Sequence, residues 1–167
     1  MTQRKKSAPK AVRSTTPQSR SRTGSQPTST AQPHTTEGLD GAMRALTLAL
    51  DKRGLEPVLL DVRQLCSFCN YQLIISGRSD RQVDAIADAI ELGLKAEGMR
   101  PISTEGARTG QWALLDYGDF VVHVFEHGAR EHYDLEGLWN DAPRIPLDVP
   151  ADARITPEET YETSAIP

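Results

Sequence analysis

Tyr71-Gln72-Leu73-Ile74-Ile75-Ser76-Gly77, followed by Ser79 and then by Val83, Ile86, Ala87, Ile90 and Leu94, sets the architecture of this 167-residue chain. Its first part is a short apolar run closed by a glycine, the composition of a buried strand. Ser79 with Gln82 three positions on is a capping-box pattern, in which a hydroxyl takes up an orphan N–H of the first helical turn. The apolar residues behind it recur at three and four positions, so one stripe of a helix faces a core. Gly98 is a natural C-terminal stop.

Upstream, Leu39, Ala42, Met43, Leu46 and Leu50 repeat the helical spacing between Leu39 and Arg53, and Gly54 ends it. Pro57 to Val62 is a short apolar run, most simply another buried strand. Downstream, Pro101 to Glu105 offers a third strand. Gln111–Asp116 and Phe120–Phe125 are β-rich runs joined by Tyr117-Gly118-Asp119, a hairpin signal. A short C-terminal helix is expected from about Gly128 to Trp139. The order is α-β-β-α-β-β-β-α without internal repeats. A strand–helix–strand unit beside a hairpin predicts an α/β (α+β) fold, with helices flanking a mixed β-sheet.

Charge divides the chain. Residues 1–36 carry seven basic side chains and no acidic one, while residues 37–167 have a net charge of −11. The N-terminal segment is Ser, Thr, Pro, Gln, Arg and Lys, too poor in apolar surface to offset its ordering entropy, and reads as a disordered basic arm over 1–37. It lacks the apolar core of a secretory signal, and no run in the chain is long enough to span a bilayer. A transit peptide for an organelle has the same composition, so that reading stays open beside an arm that brushes RNA phosphates. Residues 141–167, with Pro143, Pro146, Pro150, Pro157 and Pro167 and six acids, read as a flexible acidic tail. The folded body expected over 38–140 has 16 acidic and 10 basic groups.

Within that body the motifs fall in a recognisable series. They include Leu59-Leu60-Asp61-Val62, Asn70-Tyr71 leading to Ser76-Gly77 and Ser79, Ala85-Ile86-Ala87-Asp88, Glu105-Gly106, and Gly110 with Trp112. Leu114-Leu115-Asp116-Tyr117-Gly118-Asp119, Val122-His123-Val124-Phe125, Arg130, Tyr133, Leu135-Glu136 and Leu138-Trp139 complete it. Over roughly residues 39–142 this series resembles the ribosomal silencing factor, or Iojap-like, family. The resemblance implies a nucleotidyltransferase-like fold without that chemistry, no cofactor and no metal. It implies a cytoplasmic protein that binds the large ribosomal subunit through ribosomal protein L-fourteen, blocks association with the small subunit and represses translation. Homodimers belong to the same expectation. The series departs from the family at Asn70 and Gln72, where an Asp and an aromatic residue are usual, which removes a carboxylate from any contact with a basic partner.

The contact set implied is Tyr71, Glu105, Trp112, Asp116, His123 and Arg130. Trp112 has the residue type enriched at binding hot spots, although a core role fits it equally. Glu105 ends a strand before a Gly-containing loop. Asp116 flanks a turn, where Asp commonly satisfies backbone donors. Tyr133 and Trp139 read as packing residues of the last helix, and the faces of the hairpin strands stay unassigned. The negative body favours a basic ribosomal protein over rRNA as the main ligand, with only incidental rRNA contact by the arm.

Two rival chemistries are weighed against this. A nucleotidyltransferase needs closely spaced strand carboxylates for divalent metal, yet no Asp-x-Asp occurs, and Asp134 and Glu136 lie on an expected helix where they diverge. Cys66 and Cys69 are the only cysteines, too few for a four-thiolate zinc site. They precede a strand rather than a thiol-activating helix, and read as reduced cytosolic thiols. His123, His127 and His132 fall on a strand, a loop and a helix.

Overall fold

The computed structural model describes residues 38–107 and 109–154; the basic arm and the last part of the acidic tail lie outside the described residues. In chain order the elements are α1 (Leu39–Asp51), β1 (Leu55–Asp61), β2 (Tyr71–Gly77), α2 (Asp80–Ala96), β3 (Ser103–Glu105), β4 (Trp112–Asp116) and β5 (Phe120–Glu126). After these come α3 (His127–Tyr133), α4 (Leu135–Leu138), β6 (Arg144–Ile145) and a 3-10 turn at Ala151–Ala153.

The hydroxyl half of the capping box is realised where the sequence places it, while the Gln82 side chain reaches one residue beyond the N-cap. Ser79 Oγ accepts from the Gln82 backbone N–H at 3.3 Å, and Gln82 Oε1 accepts from the Arg78 N–H at 2.7 Å. The Gln82 amide also donates to the carbonyls of Lys52 and Arg53 at 3.0 and 2.9 Å, tying the end of α1 to the start of α2. Lys52 is the C-cap of α1 and Arg53 follows it, so one side chain joins the chain leaving α1 to the N-terminus of α2.

The six strands form one sheet in the order β3-β4-β5-β2-β1-β6. Its centre is the parallel pair β2–β5, in register from Tyr71 opposite Phe120 to Gly77 opposite Glu126. All other pairs are antiparallel. All seven residues of β2 are buried, as expected for a central parallel strand covered on both faces. One face packs on α1 and α2: Leu59, Leu73, Ile75, Leu115, Val122 and Val124 meet Ala42, Leu46, Ile86, Ile90 and Leu94 in the main core. The opposite face carries a smaller cluster containing Leu60, Ile74, Val121 and Phe125, against which Leu135 and Trp139 pack.

Two expectations are corrected. The terminal helix is two, because Asp134 adopts φ 43° and its carboxylate accepts from Gly137 N at 3.0 Å, starting α4 afresh. The fold also continues past residue 140. β6 pairs with β1, placing Ile145 opposite Leu59, while Ala142, Val149 and Ala153 are buried. Pro143 and Pro146 bracket a two-residue edge strand, the position in a sheet where proline is tolerated. Read as flexible-tail signals, they mask the period-two pattern of Ile145, Leu147 and Val149.

Candidate functional site

The alternation along β2, β4 and β5 decides which side chains face away from the long helices. Ala113 and Leu115 on β4, with Phe120, Val122 and Val124 on β5, point into the main core. Trp112, Leu114, Val121 and Phe125 therefore stand on the other face. The short helices α3 and α4 cover only part of it. What remains is a groove of ≈ 350 Å³ with an apolar floor of Trp112, Leu114 and Val121, edged by the exposed side chains of Phe68 and Leu138. Glu105 and Asp116 stand on the same rim.

Trp112 is held from three sides. Its ring stacks on Phe125 with centroids 5.0 Å apart and tilts against Tyr133 at 4.7 Å, while Nε1–H donates to His123 Nδ1 at 3.2 Å. The turn before β4 reinforces this placement. Gly106 has φ +68°, and a Cβ there would sit 2.0 Å from the Trp112 carbonyl oxygen, so the close approach requires glycine.

His123 is buried, and burial pushes its imidazole down to about 4. It is neutral at physiological pH, with Nδ1 as the acceptor and the proton on Nε2. Folded and unfolded imidazoles are both uncharged above about pH 6.5, so the full stability is present there. Below that, only the unfolded chain takes up the proton, and stability is lost as pH falls toward about 4. Each pH unit inside that window is expected to cost up to ~1.4 kcal/mol. Urea midpoints between pH 7 and pH 5 check this: the His123→Gln variant should lose less than the parent, and parallel profiles would refute the assignment.

The structure brings Glu105, Trp112, Asp116 and His123 around one groove. Asp116 has a structural duty as well, since its Oδ1 accepts from Gly118 N at 2.8 Å in the hairpin turn. Tyr71 belongs elsewhere: it is 1% exposed in the main core, on the opposite face from its neighbour Gln72 and away from the groove. Arg130 also lies apart. It donates to Glu136 Oε1 at 2.7 Å, to Ser76 Oγ at 2.8 Å and to the Glu56 carbonyl at 2.8 Å. It lines a separate cavity of ≈ 380 Å³ beside β1 and β6, where Glu136 also pairs with Arg144.

Phe68, Leu138 and Gln72 are among the groove residues that lie outside the candidate set read from sequence. In the sequence Phe68 stands inside the Cys-x-x-Cys motif and Leu138 inside the expected last helix, and neither position carries a signal of exposure. Gln72 carried a signal, being a polar residue inside an apolar strand. It is 2% exposed and its Oε1 has no hydrogen-bond partner among the described residues. Gln72 Nε2 donates to Cys69 Sγ at 3.8 Å, and Cys69 Sγ lies 3.6 Å from Cys66 Sγ. Both cysteines are free thiols.

Among the described residues, no group of three or more His, Cys, Asp or Glu is placed to hold a metal ion, and no helix is long and apolar enough to cross a membrane. The carboxylates of Asp134 and Glu136 are engaged, one as a helix cap and the other with arginines.

Comparison with known proteins adds a consistent set of matches. A family model described as ribosomal silencing factor during starvation matches residues 35–166. The ribosomal silencing factor RsfS of Bacillus subtilis is 42% identical over 98 residues, covering 59% of this chain and 83% of that protein. The protein of the same name from Chromobacterium violaceum is 38% identical over 89 residues, covering 53% of this chain and 73% of its own length. A crystal structure of a protein from Chromobacterium violaceum aligns with a TM-score of 0.60 at 33% identity, covering 68% of this chain and 93% of that one.

Proposed function

The chain belongs to the ribosomal silencing factor family, and on that premise we propose that it docks on the large ribosomal subunit through the groove of β4 and β5. Ribosomal protein L-fourteen is the protein contacted. Occupancy alone keeps the small subunit from joining and so represses translation, and no step of catalysis is involved. The observation that carries this reading is an apolar groove on a rigid sheet, floored by Trp112 and rimmed by Glu105 and Asp116. Aromatic anchors in a desolvated pocket supply binding energy, while carboxylates at the rim steer a basic partner and reject rRNA phosphates. The net charge of −6 over residues 38–140 favours the same kind of partner.

The action is cytoplasmic in this reading, and organellar if residues 1–36 are a transit peptide. The arm contacts rRNA only incidentally, and pairing of two copies is compatible with the proposal.

Sedimentation tests it. The full chain is expected to travel with large subunits rather than small ones. Adding it to an equimolar mixture of subunits should lower the yield of joined ribosomes in proportion to occupancy. Undiminished joining at saturating protein would overturn the steric reading. A nucleotidyltransferase would instead label products from radioactive nucleotide in the presence of magnesium, and no such transfer is expected.

A further inference from the structure

We infer that Cys66 and Cys69 are a redox modification site whose reversible disulfide reshapes the edge of the groove. The coupling to binding rests on the docking proposed above, but the disulfide does not. The two Sγ atoms already lie 3.6 Å apart, so a closure of about 1.5 Å brings them to the ~2.05 Å of a bond. Their exposures are unequal in a useful way. Cys66 is half-buried and open to a small oxidant, whereas Cys69 is 4% exposed. Burial keeps the oxidant away from Cys69, and burial, followed by the hydrogen bond with Cys66, pushes its thiol up to about 12, so Cys69 gives up its proton only as it attacks the neighbouring sulfur.

The oxidant is a hydroperoxide. The Cys66 sulfur attacks the terminal peroxide oxygen; the O–O bond breaks, the alcohol or water leaves with the thiol proton, and Cys66 becomes a sulfenic acid. The Cys69 sulfur then attacks the Cys66 sulfur. The S–S bond forms, the S–O bond breaks, and the departing hydroxide takes the Cys69 proton as water. Two thiols are oxidised by two electrons and one peroxide is reduced. A small thiol reverses the change by disulfide exchange.

Two connections carry the closure to the groove. Phe68 sits between the cysteines, is 66% exposed and lines the groove. Gln72 also lines it, and its amide donates to the Cys69 sulfur that the new bond would engage. Oxidation therefore moves the aromatic edge and the buried amide together, on the same face as Trp112.

The test uses the full chain, which contains only these two cysteines. After a small excess of hydrogen peroxide, intact mass should fall by two hydrogens without a covalent dimer, both thiols should resist alkylation, and dithiothreitol should restore them. The Cys69→Ser variant should instead accumulate a sulfenic acid at Cys66 that a dimedone-type probe traps. Two alkylatable thiols after treatment, or a disulfide-linked dimer, would overturn the site. Tryptophan emission should shift on oxidation of the parent chain and not of Cys66→Ser; no shift would overturn the groove rearrangement. Large-subunit affinity of the oxidised protein is expected to fall at least tenfold and to recover with reductant, and equal affinities would overturn the coupling. If the reduced protein shows no affinity at all, it is the docking that fails, and the mass and emission results judge the disulfide independently.

Discussion

An Arg130→Met variant is expected to unfold about 3 kcal/mol more readily than the parent chain, read as the shift in urea midpoint at constant slope. Arg130 has only 11% of its side chain exposed and reaches Oε1 of Glu136, itself 25% exposed, through both Nε and Nη2. Its guanidinium also reaches the Ser76 hydroxyl and the Glu56 carbonyl, joining β2, β1 and the helical segment after β5. The Glu56 carbonyl is available because β1 is irregular there, with Glu56 at φ 48°. Removing the cation leaves a largely desolvated carboxylate with Arg144 as its remaining ion-pair partner, and Arg144 is 62% exposed. Breaking a buried pair from one side costs about 3–5 kcal/mol, and the access of Glu136 to water places this case at the low end. Arg144→Met, at the exposed end of the network, should cost under about 1 kcal/mol. Equal costs would show that the network is a surface feature. Under conditions where Arg130→Met is folded, its affinity for large subunits should match that of the parent.

The second large effect is expected at Trp112. Its replacement by alanine should weaken large-subunit binding by about thirtyfold or more, the equivalent of ~2 kcal/mol at a hot spot. The same change also removes the stack on Phe125 and strands the buried acceptor of His123, so some stability is lost with it. Trp112→Phe separates the two consequences. A phenyl ring keeps the contacts with Phe125 and Tyr133 but has no N–H for His123. Circular dichroism and urea titration report the fold, and co-sedimentation reports binding. If Trp112→Ala binds large subunits as tightly as the parent while folded, the groove is not the docking surface.

These two residues also mark how far the sequence can be read. The capping box at Ser79, the stripe from Val83 to Leu94 and the hairpin turn at Tyr117-Gly118-Asp119 are local signals, and each produced its element. Burial on both faces erased the next layer of information. In β2 every position is apolar or buried, so alternation could not tell that Tyr71 enters the main core while Gln72 turns to the groove. Gln72 and Ser76, four positions apart on one side of β2, are the polar residues of the strand that mark the face turned away from the long helices. Arg130 illustrates a different limit: its partners stand 54 and 74 positions away, beyond any local pattern. The last strand escaped because two residues are too few to establish a period, and prolines on either side carry the stronger signal.

The margins of the sheet have a consequence of their own. On one side lies β3, three residues long, and on the other β6, two residues long. Unpaired backbone at a sheet margin is a template for recruiting further chains, and brevity is one of the ways proteins deny it. With so little template at either end, strand-by-strand growth between molecules gains few hydrogen bonds per addition. β3 and β6 are thereby poorer templates for fibril growth than a long, flat edge strand.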